Sequence, residues 1–327
     1  MLNHPLPRID KDEKFRKYLL PYCRFKDGTI WEDEKGKHKI ACLDISNSEK
    51  IVNLFSNSKA KLSIQDPPYN FIAFTEKQND EFLKWCSNWV KTNISISDKN
   101  ASFYIWLGAD QSNHFEPFGG FVEMMKSTEL NSRSFITMRN QRGYGTPNNW
   151  MAIRQELLFY TKGNPKFNVN AEYTEIPKTV KGYYKEIGGT KTENMERSKS
   201  QNLRAGNVWI DVQQVFYRME ENVNGCFAQK PLKAIKRIVE ASSSENDLVT
   251  DFFAHSGTTI LACELLERKC ITIDVDPIYC EISLRRLENF RLNGKTGWQN
   301  SNPFCNEIKN DKKILRHLKE KYKINYK

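Results

Sequence analysis

The chain has no apolar run near the roughly 20 residues that a membrane-spanning helix needs. Its first residues, Met1-Leu2-Asn3-His4-Pro5, lack the apolar segment of a signal peptide, so a soluble, cytoplasmic protein is expected. Paired cysteines are also missing. The eight present (Cys23, Cys42, Cys86, Cys226, Cys263, Cys270, Cys280 and Cys305) form no Cys-x-x-Cys, and several sit in apolar runs such as Ile260-Leu261-Ala262-Cys263. That pattern predicts free, buried thiols in a reducing compartment. The five histidines are scattered without metal-ligand spacing, so no metal is expected. There is no internal repeat and no low-complexity tract.

What the chain does have is length and positive charge. Its 327 residues suffice for one large core and a smaller appendage. Fifty basic against forty acidic residues give a net charge of +10, which favours a polyanion such as nucleic acid over a merely solubilising lysine surface.

Apolar patterning divides the chain. Residues 1–37 read as a polar, irregular arm with a turn at Phe25-Lys26-Asp27-Gly28-Thr29, and with room for a hairpin. Lys39 to Leu43 is an apolar run ending at Asp44, and a helix is predicted over 47–56. Lys61-Leu62-Ser63-Ile64-Gln65 alternates as a short strand and must stop at Pro67 and Pro68, which cannot donate to a sheet ladder. Strand, helix and strand in that order predict a parallel sheet. A helix over 80–93, a strand over 101–107, a helix over 118–125 and strands over 134–138 and 156–161 follow. Periodicity fades over 164–206, which reads as an inserted module or a partly disordered loop. It resumes at 208–211 and continues as helix 232–241, strand 248–250, helix 260–266, strand 270–273 and helix 278–290. The tail, 293–327, is basic and amphipathic from Asn310 onward, and docking on the body is expected.

Three stretches carry chemistry. Asp66-Pro67-Pro68-Tyr69 is a stiff turn at a strand's carboxyl end that offers a carboxylate, a carbonyl and a ring to one space. It could hold a flat, amino-bearing ring, Tyr69 stacking while Asp66 and the Pro67 carbonyl accept from the amino group; an ordinary Asp-Pro turn is the alternative. Second, the strand to Asp251, the turn Phe252-Phe253-Ala254-His255-Ser256-Gly257-Thr258-Thr259, a helix, and a strand to Asp274 form a mononucleotide-binding half-unit. Its one dependable glycine, Gly257, suits a ligand with a ribose but no pyrophosphate. Third, Arg139 to Trp150 interleaves basic groups, amides and aromatics, the side chains that grip phosphates and stack on bases. Arg139, Arg142, Tyr144, Asn148 and Asn149 are the candidates there.

The pair Asp-Pro-Pro-Tyr and Phe-Ala-His-Ser-Gly-Thr-Thr resembles the catalytic and cofactor motifs of amino-methylating DNA methyltransferases, which use S-adenosylmethionine. The catalytic motif preceding the cofactor motif, with a variable basic region between, is similar to the beta group of that family. Trp106-Leu107-Gly108-Ala109, Arg154 to Tyr160 and Gln229-Lys230-Pro231 resemble further family elements. The resemblance covers about 38–163 and 206–292. It implies an α/β fold, a doubly wound and mostly parallel Rossmann-like methyltransferase sheet. Residues 38–163 would be its catalytic half, 207–292 its cofactor-binding half, and the inserted 164–206 a target-recognition region.

The resemblance further implies that Asp66, Pro67, Pro68 and Tyr69 form the catalytic turn around a flipped base. Asp251, Phe253, Ala254, His255, Ser256, Gly257, Thr258, Thr259 and Lys230 would surround the cofactor, Asp274 its ribose and Asp44 its adenine. Double-stranded DNA is the implied partner; a homodimer and a cognate restriction endonuclease are admitted but not required. The chain departs from the family's Asp-Pro-Phe-Ala-Gly-Ser-Gly at Phe252, in place of proline, and at His255, in place of a glycine. Gly225-Cys226-Phe227-Ala228 also replaces the His-Pro-Thr usual before Gln229. The expected reaction is adenine N6 methylation, because aspartate at the motif's first position favours adenine in this family. Cytosine N4 methylation, action on RNA, and an inactive DNA-binding subunit are the alternatives.

Overall fold

The structure, a computed structural model, describes residues 6–68, 79–108, 115–139, 147–148, 150, 153–178, 182–195 and 200–324. Strands are numbered in chain order. The first six are β1 (Ile30–Glu32), β2 (His38–Cys42), β3 (Ala60–Gln65), β4 (Ser97–Leu107), β5 (Asn131–Arg139) and β6 (Arg154–Lys162). The inserted stretch holds β7 (Tyr173–Pro177), β8 (Gly182–Ile187), β9 (Thr190–Met195) and β10 (Asn202–Arg204). Then come β11 (Val208–Trp209), β12 (Leu248–Asp251) and β13 (Lys269–Asp274).

One sheet of nine strands runs β1-β2-β13-β12-β3-β4-β6-β5-β11. The run from β2 to β4 is parallel throughout, and β6 lies antiparallel to both β4 and β5. The fold is therefore the doubly wound, mostly parallel α/β sheet that the patterning predicts. The reversed β6 is a feature that periodicity does not reveal, since strand direction leaves no mark on it.

Among the described residues, three helices cover each face. On one are α2 (Ser48–Phe55), α3 (Asn79–Ile96) and α4 (Glu116–Met125), packed on Phe103, Ile105, Ile271 and Ile273. On the other are α5 (Leu232–Ser242), α6 (Thr258–Leu265) and α7 (Pro277–Asn293), packed on Leu62, Ile64, Trp106 and Val249. Local sequence sets their limits. The Asn47 side chain accepts from the Lys50 amide to start α2, and Asp276 caps α7 ahead of Pro277. Gly294, at φ +68°, ends α7 in a left-handed turn.

The arm is more ordered than its polarity suggests. It contains a helix over Glu13–Leu19, labelled α1, and β1 pairs with β2 as a hairpin. The tail forms α8 (Cys305–Asn310) and α9 (Lys312–Tyr322), and it docks as expected. Phe15, Leu19, Ile314 and Leu318 share a third core with the outer face of α7. The inserted stretch is a small module, in which β7 pairs with β10 and β8 with β9. Strand character at 208–211 is confined to Val208–Trp209. All eight cysteines are unpaired, five of them buried. Among the described residues, no helix is long and apolar enough to cross a membrane.

Asp12 joins arm to tail. Almost wholly buried, it caps α1 at the Phe15 amide and accepts from His317 Nε2 at 2.8 Å and from the Tyr322 hydroxyl at 2.7 Å. Burial pulls its carboxyl upward, but these donors win and hold it well below the usual range. Replacing Asp12 with alanine removes one cap and leaves two donors unanswered. Thermal or urea unfolding should show a loss of about 2–4 kcal/mol; a change within about 0.5 kcal/mol would refute this anchor.

Candidate active site

Strands β3 and β12 are neighbours, but their chains depart in opposite directions, β3 toward β4 and β12 toward β13. Such a switch point opens a crevice at the carboxyl ends of the strands. The two sequence motifs arrive there from opposite sides, Asp66 and Pro67 after β3 and Phe252 to Gly257 after β12.

Gln65 holds the two turns together. Its Oε1 accepts from the Phe252 amide at 3.0 Å, and its Nε2 donates to Ser63 Oγ at 2.9 Å. Asn93 on α3 donates to the same Ser63 oxygen at 2.7 Å. The polar positions of the β3 alternation thus do not face water: Ser63 and Gln65 are both fully buried in a central strand. A glutamine directly before the aspartate was the available signal, and periodicity alone gives it no role.

A narrow cleft forms among Ile64, Asp66, Trp106, Asp251, Phe253 and His255. The centre of a water-sized sphere can explore only about 20 Å³ of it, so its walls must part for anything larger than water. Lys230, just ahead of α5, sets its Nζ 2.5 Å from Asp66 Oδ2 and 5.3 Å from the Trp106 ring centre. The structure thus brings Lys230 to the Asp66 turn. Trp106 was missed as a cleft wall, although its apolar run is plain in the sequence.

The turn after β12 is tightly tied. The Asp274 carboxylate accepts from the His255 amide at 2.8 Å and the Asp276 amide at 2.9 Å. Asp251 accepts from the Phe253 amide at 2.9 Å and the Thr259 hydroxyl at 2.5 Å. Phe253 packs edge-on against Trp89, ring centres 5.5 Å apart. Gly257 has φ +72°, and a Cβ there would sit 2.8 Å from Ser283 Cα, so no larger residue fits. Ala254, Ser256, Thr258 and Thr259 are buried. Beneath the turn, the fully buried Arg286 donates to the Ser256 carbonyl at 2.9 Å and the Glu221 carbonyl at 3.0 Å. This second missed residue reads in the sequence as one more arginine of an amphipathic helix.

His255 adopts a left-handed backbone despite its side chain, with φ +46°. A non-glycine residue there costs on the order of 1–3 kcal/mol. Its ring lies 4.5 Å from that of Tyr279, and burial pulls it down to about 4, so it is neutral at pH 7. The positive backbone angle that a glycine there would permit is therefore adopted by the histidine.

The remaining predicted residues are less central. Asp44 is exposed beyond β2, its Oδ1 accepting from the Ser46 amide at 2.8 Å, and it lies outside the cleft lining. Arg139 is exposed at the end of β5, opposite Arg154, on the same sheet edge as Asp66. Asn148 is exposed. Tyr69, Arg142, Tyr144 and Asn149 lie outside the described residues.

The fold and site are those of an α/β sheet whose switch-point crevice joins an Asp-Pro-Pro turn to a second turn held by two buried carboxyls. Residues 60–285 match the sequence model of the DNA methylase family, N6/N4 type, and the chain belongs to that family. It is similar to the type II methyltransferase M.HpaI of Haemophilus parainfluenzae, 25% identical over 249 residues, or 75% of this chain and 73% of that protein. M1.MboII of Moraxella bovis is 28% identical over 74% of this chain and 92% of its own length. M.BamHI of Bacillus amyloliquefaciens is 27% identical, and the chain spans 57% of it. Among solved structures, the PvuII DNA methyltransferase (cytosine-N4-specific) shares the fold, with a TM-score of 0.56 over 81% of this chain and 96% of that one, at 15% identity.

Members of this family draw the methyl group from S-adenosylmethionine. The cleft suits that donor, because one buried carboxyl, Asp251, lines it and a second, Asp274, holds the turn that forms one of its walls, neither in an ion pair among the described residues. Burial pushes Asp251 up to about 7; burial and the neighbouring Asp276 charge push Asp274 up to about 7. An ammonium and a ribose diol would supply the missing partners.

The same shifts make a prediction for the protein without ligand. Both carboxyls keep a proton in the folded state up to about pH 7, but in the unfolded chain only up to about 3.8. Their contribution to stability is complete below about pH 4 and is lost as pH rises through 7. Thermal unfolding between pH 5.5 and 8 should fall more steeply in the wild type than in Asp251→Asn/Asp274→Asn. Equal slopes would remove the case for two raised carboxyls.

Proposed function

We propose that the chain transfers a methyl group to N6 of adenine, flipped out of duplex DNA at a short specific sequence. The observation that carries this is Asp66 at the carboxyl end of β3, turned into the cleft that also holds Asp251. Aspartate in that position favours adenine in the family the chain resembles. The similar YhdJ of Escherichia coli (strain K12), 26% identical over 69% of this chain, is named a DNA adenine methyltransferase.

An exocyclic amino nitrogen is a weak nucleophile because its lone pair is delocalised into the ring. Asp66 and the Pro67 carbonyl would accept hydrogen bonds from its two N–H groups, localise the pair and aim it, and the one proton the nitrogen sheds as the methyl leaves its sulfur would depart by way of Asp66. The bound donor supplies an electrophilic methyl on a sulfonium, so transfer needs mainly orientation and proximity. Tyr69 would restore the stacking that the base loses on leaving the duplex, a cost of a few kcal/mol. Lys230 holds Asp66 until the base arrives, and its release from that ion pair opens the way. Asp251 would take the donor's ammonium, Asp274 its ribose hydroxyls and Asp44 the adenine edge. His255, neutral and set against Tyr279, would cover the pocket.

Arg139 and the basic stretch after it would grip phosphates on the same edge, with the 164–206 module as the target-recognition region. Neither a homodimer nor a paired restriction endonuclease is needed for the chemistry. The positive backbone angle adopted at His255 supports an active enzyme over an inactive DNA-binding subunit.

Nucleosides from DNA methylated by the purified protein should contain N6-methyladenine by mass spectrometry; N4-methylcytosine alone would overturn the choice of base. Asp66→Ala should lower turnover by at least 10²-fold, while S-adenosylmethionine still binds by calorimetry. Unchanged turnover in that variant would refute the catalytic assignment.

A further inference from the structure

A much larger cavity lies away from the cleft, on the sheet face that carries α5, α6 and α7. The centre of a water-sized sphere can explore about 490 Å³ of it, within the range of roughly 300–1,000 Å³ typical of small-ligand sites. It exists because helices cover this face only as far as α5. Beyond α5, the face of β4, β6 and β5 is roofed by the segment after Gly163 instead. Side-chain alternation puts Ser102 and Tyr104 on this face together with Trp106. Ser102 lies five residues before the end of β4, roughly 16 Å at strand rise. The cavity therefore belongs to the opposite half of the sheet from Asp66.

Three features of its lining converge. The wall is aromatic: Tyr104 and Phe159 stack with ring centres 4.4 Å apart at 9°, and Phe167 sits 5.9 Å from Phe159. Within the cavity the fully buried Ser102 hydroxyl has no hydrogen-bond partner. A buried polar group left unpaired costs about 1–3 kcal/mol, which a ligand atom placed against it would recover. Finally, Arg133 and Arg204 line the cavity, are exposed, and have no carboxylate partner among the described residues. The nearby Arg237, by contrast, is fully engaged by Asp211 and Glu172. Free guanidiniums at a pocket lined by aromatics suit a phosphate attached to a flat ring.

We propose that this cavity is a second ligand site that takes a nucleotide. The base lies along the Phe159–Phe167 wall, which parts enough for one polar ring atom to reach the buried Ser102 hydroxyl, and the phosphate rests on Arg133 and Arg204. The shared chemistry could be presented by a free mononucleotide or by a nucleotide of a DNA strand.

Calorimetry on the full chain separates these sources, using 2′-deoxyadenosine 5′-monophosphate in one arm and a six-nucleotide single strand in the other. Both are titrated into Asp66→Ala protein saturated with S-adenosylmethionine, so that neither the cofactor pocket nor the Asp66 turn contributes to the readout. Binding should weaken at least tenfold in Arg133→Ala/Arg204→Ala. It should weaken several-fold in Ser102→Ala, whose melting temperature should be unchanged or raised because an unpaired hydroxyl is gone. Mononucleotide binding with both dependences identifies a free nucleotide; strand binding alone with both dependences identifies a nucleic-acid contact. Binding that depends on the arginines but not on Ser102, or no binding of either titrant at millimolar concentration, overturns the proposal.

Discussion

The site depends on one buried hydrogen bond, from the Phe252 amide to the Gln65 side chain. Its two ends come from strands 187 residues apart in sequence, and each strand leads directly into a chemically loaded turn. A glutamine amide is neutral, donates and accepts at once, and survives burial only when both ends are satisfied. Here Ser63 and the Phe252 amide satisfy them. The distance between the Asp66 turn and the Asp251 turn is thereby fixed by the sheet and by this clamp, not by either loop.

Around that clamp the protein places its burial costs at the cleft. His255 holds a left-handed backbone, and Asp251 and Asp274 are carboxyls pushed toward neutrality. Each is unfavourable for the empty protein, and each would be relieved by a ligand carrying an ammonium and hydroxyls. Strain and desolvation gathered at one sheet edge are what a binding site adds to an otherwise self-consistent fold. Arg286 is the structural counterpart, a buried cation whose hydrogens go to carbonyls of the turn and its neighbours, so the turn keeps its shape while the cleft is empty.

Most of the scaffold was legible in the sequence. Lys39 to Leu43, Ala101 to Leu107 and Leu248 to Val249 read as buried strands because residues covered on both faces must be apolar, and Asp66-Pro67-Pro68 had to end a strand. The polar arm misled, since charged residues on α1 hide an apolar face of Phe15 and Leu19 that the tail and the outer face of α7 cover. The motif points to Lys230 as a cofactor neighbour; its contact with Asp66 is not legible there, because side-chain reach across a crevice is not encoded in spacing.

By itself the sequence determined where strands end and which turns carry polar groups, because a proline pair, a glycine in a turn and an acidic strand end are constraints each residue imposes locally. Tertiary structure decided what those residues face. It placed Gln65 between the two turns, set Lys230 on Asp66, reversed β6, and left the Ser102 hydroxyl without a partner in a second cavity. The physical reason is that partners and burial are properties of pairs brought together by the sheet, and no single stretch of chain contains both members.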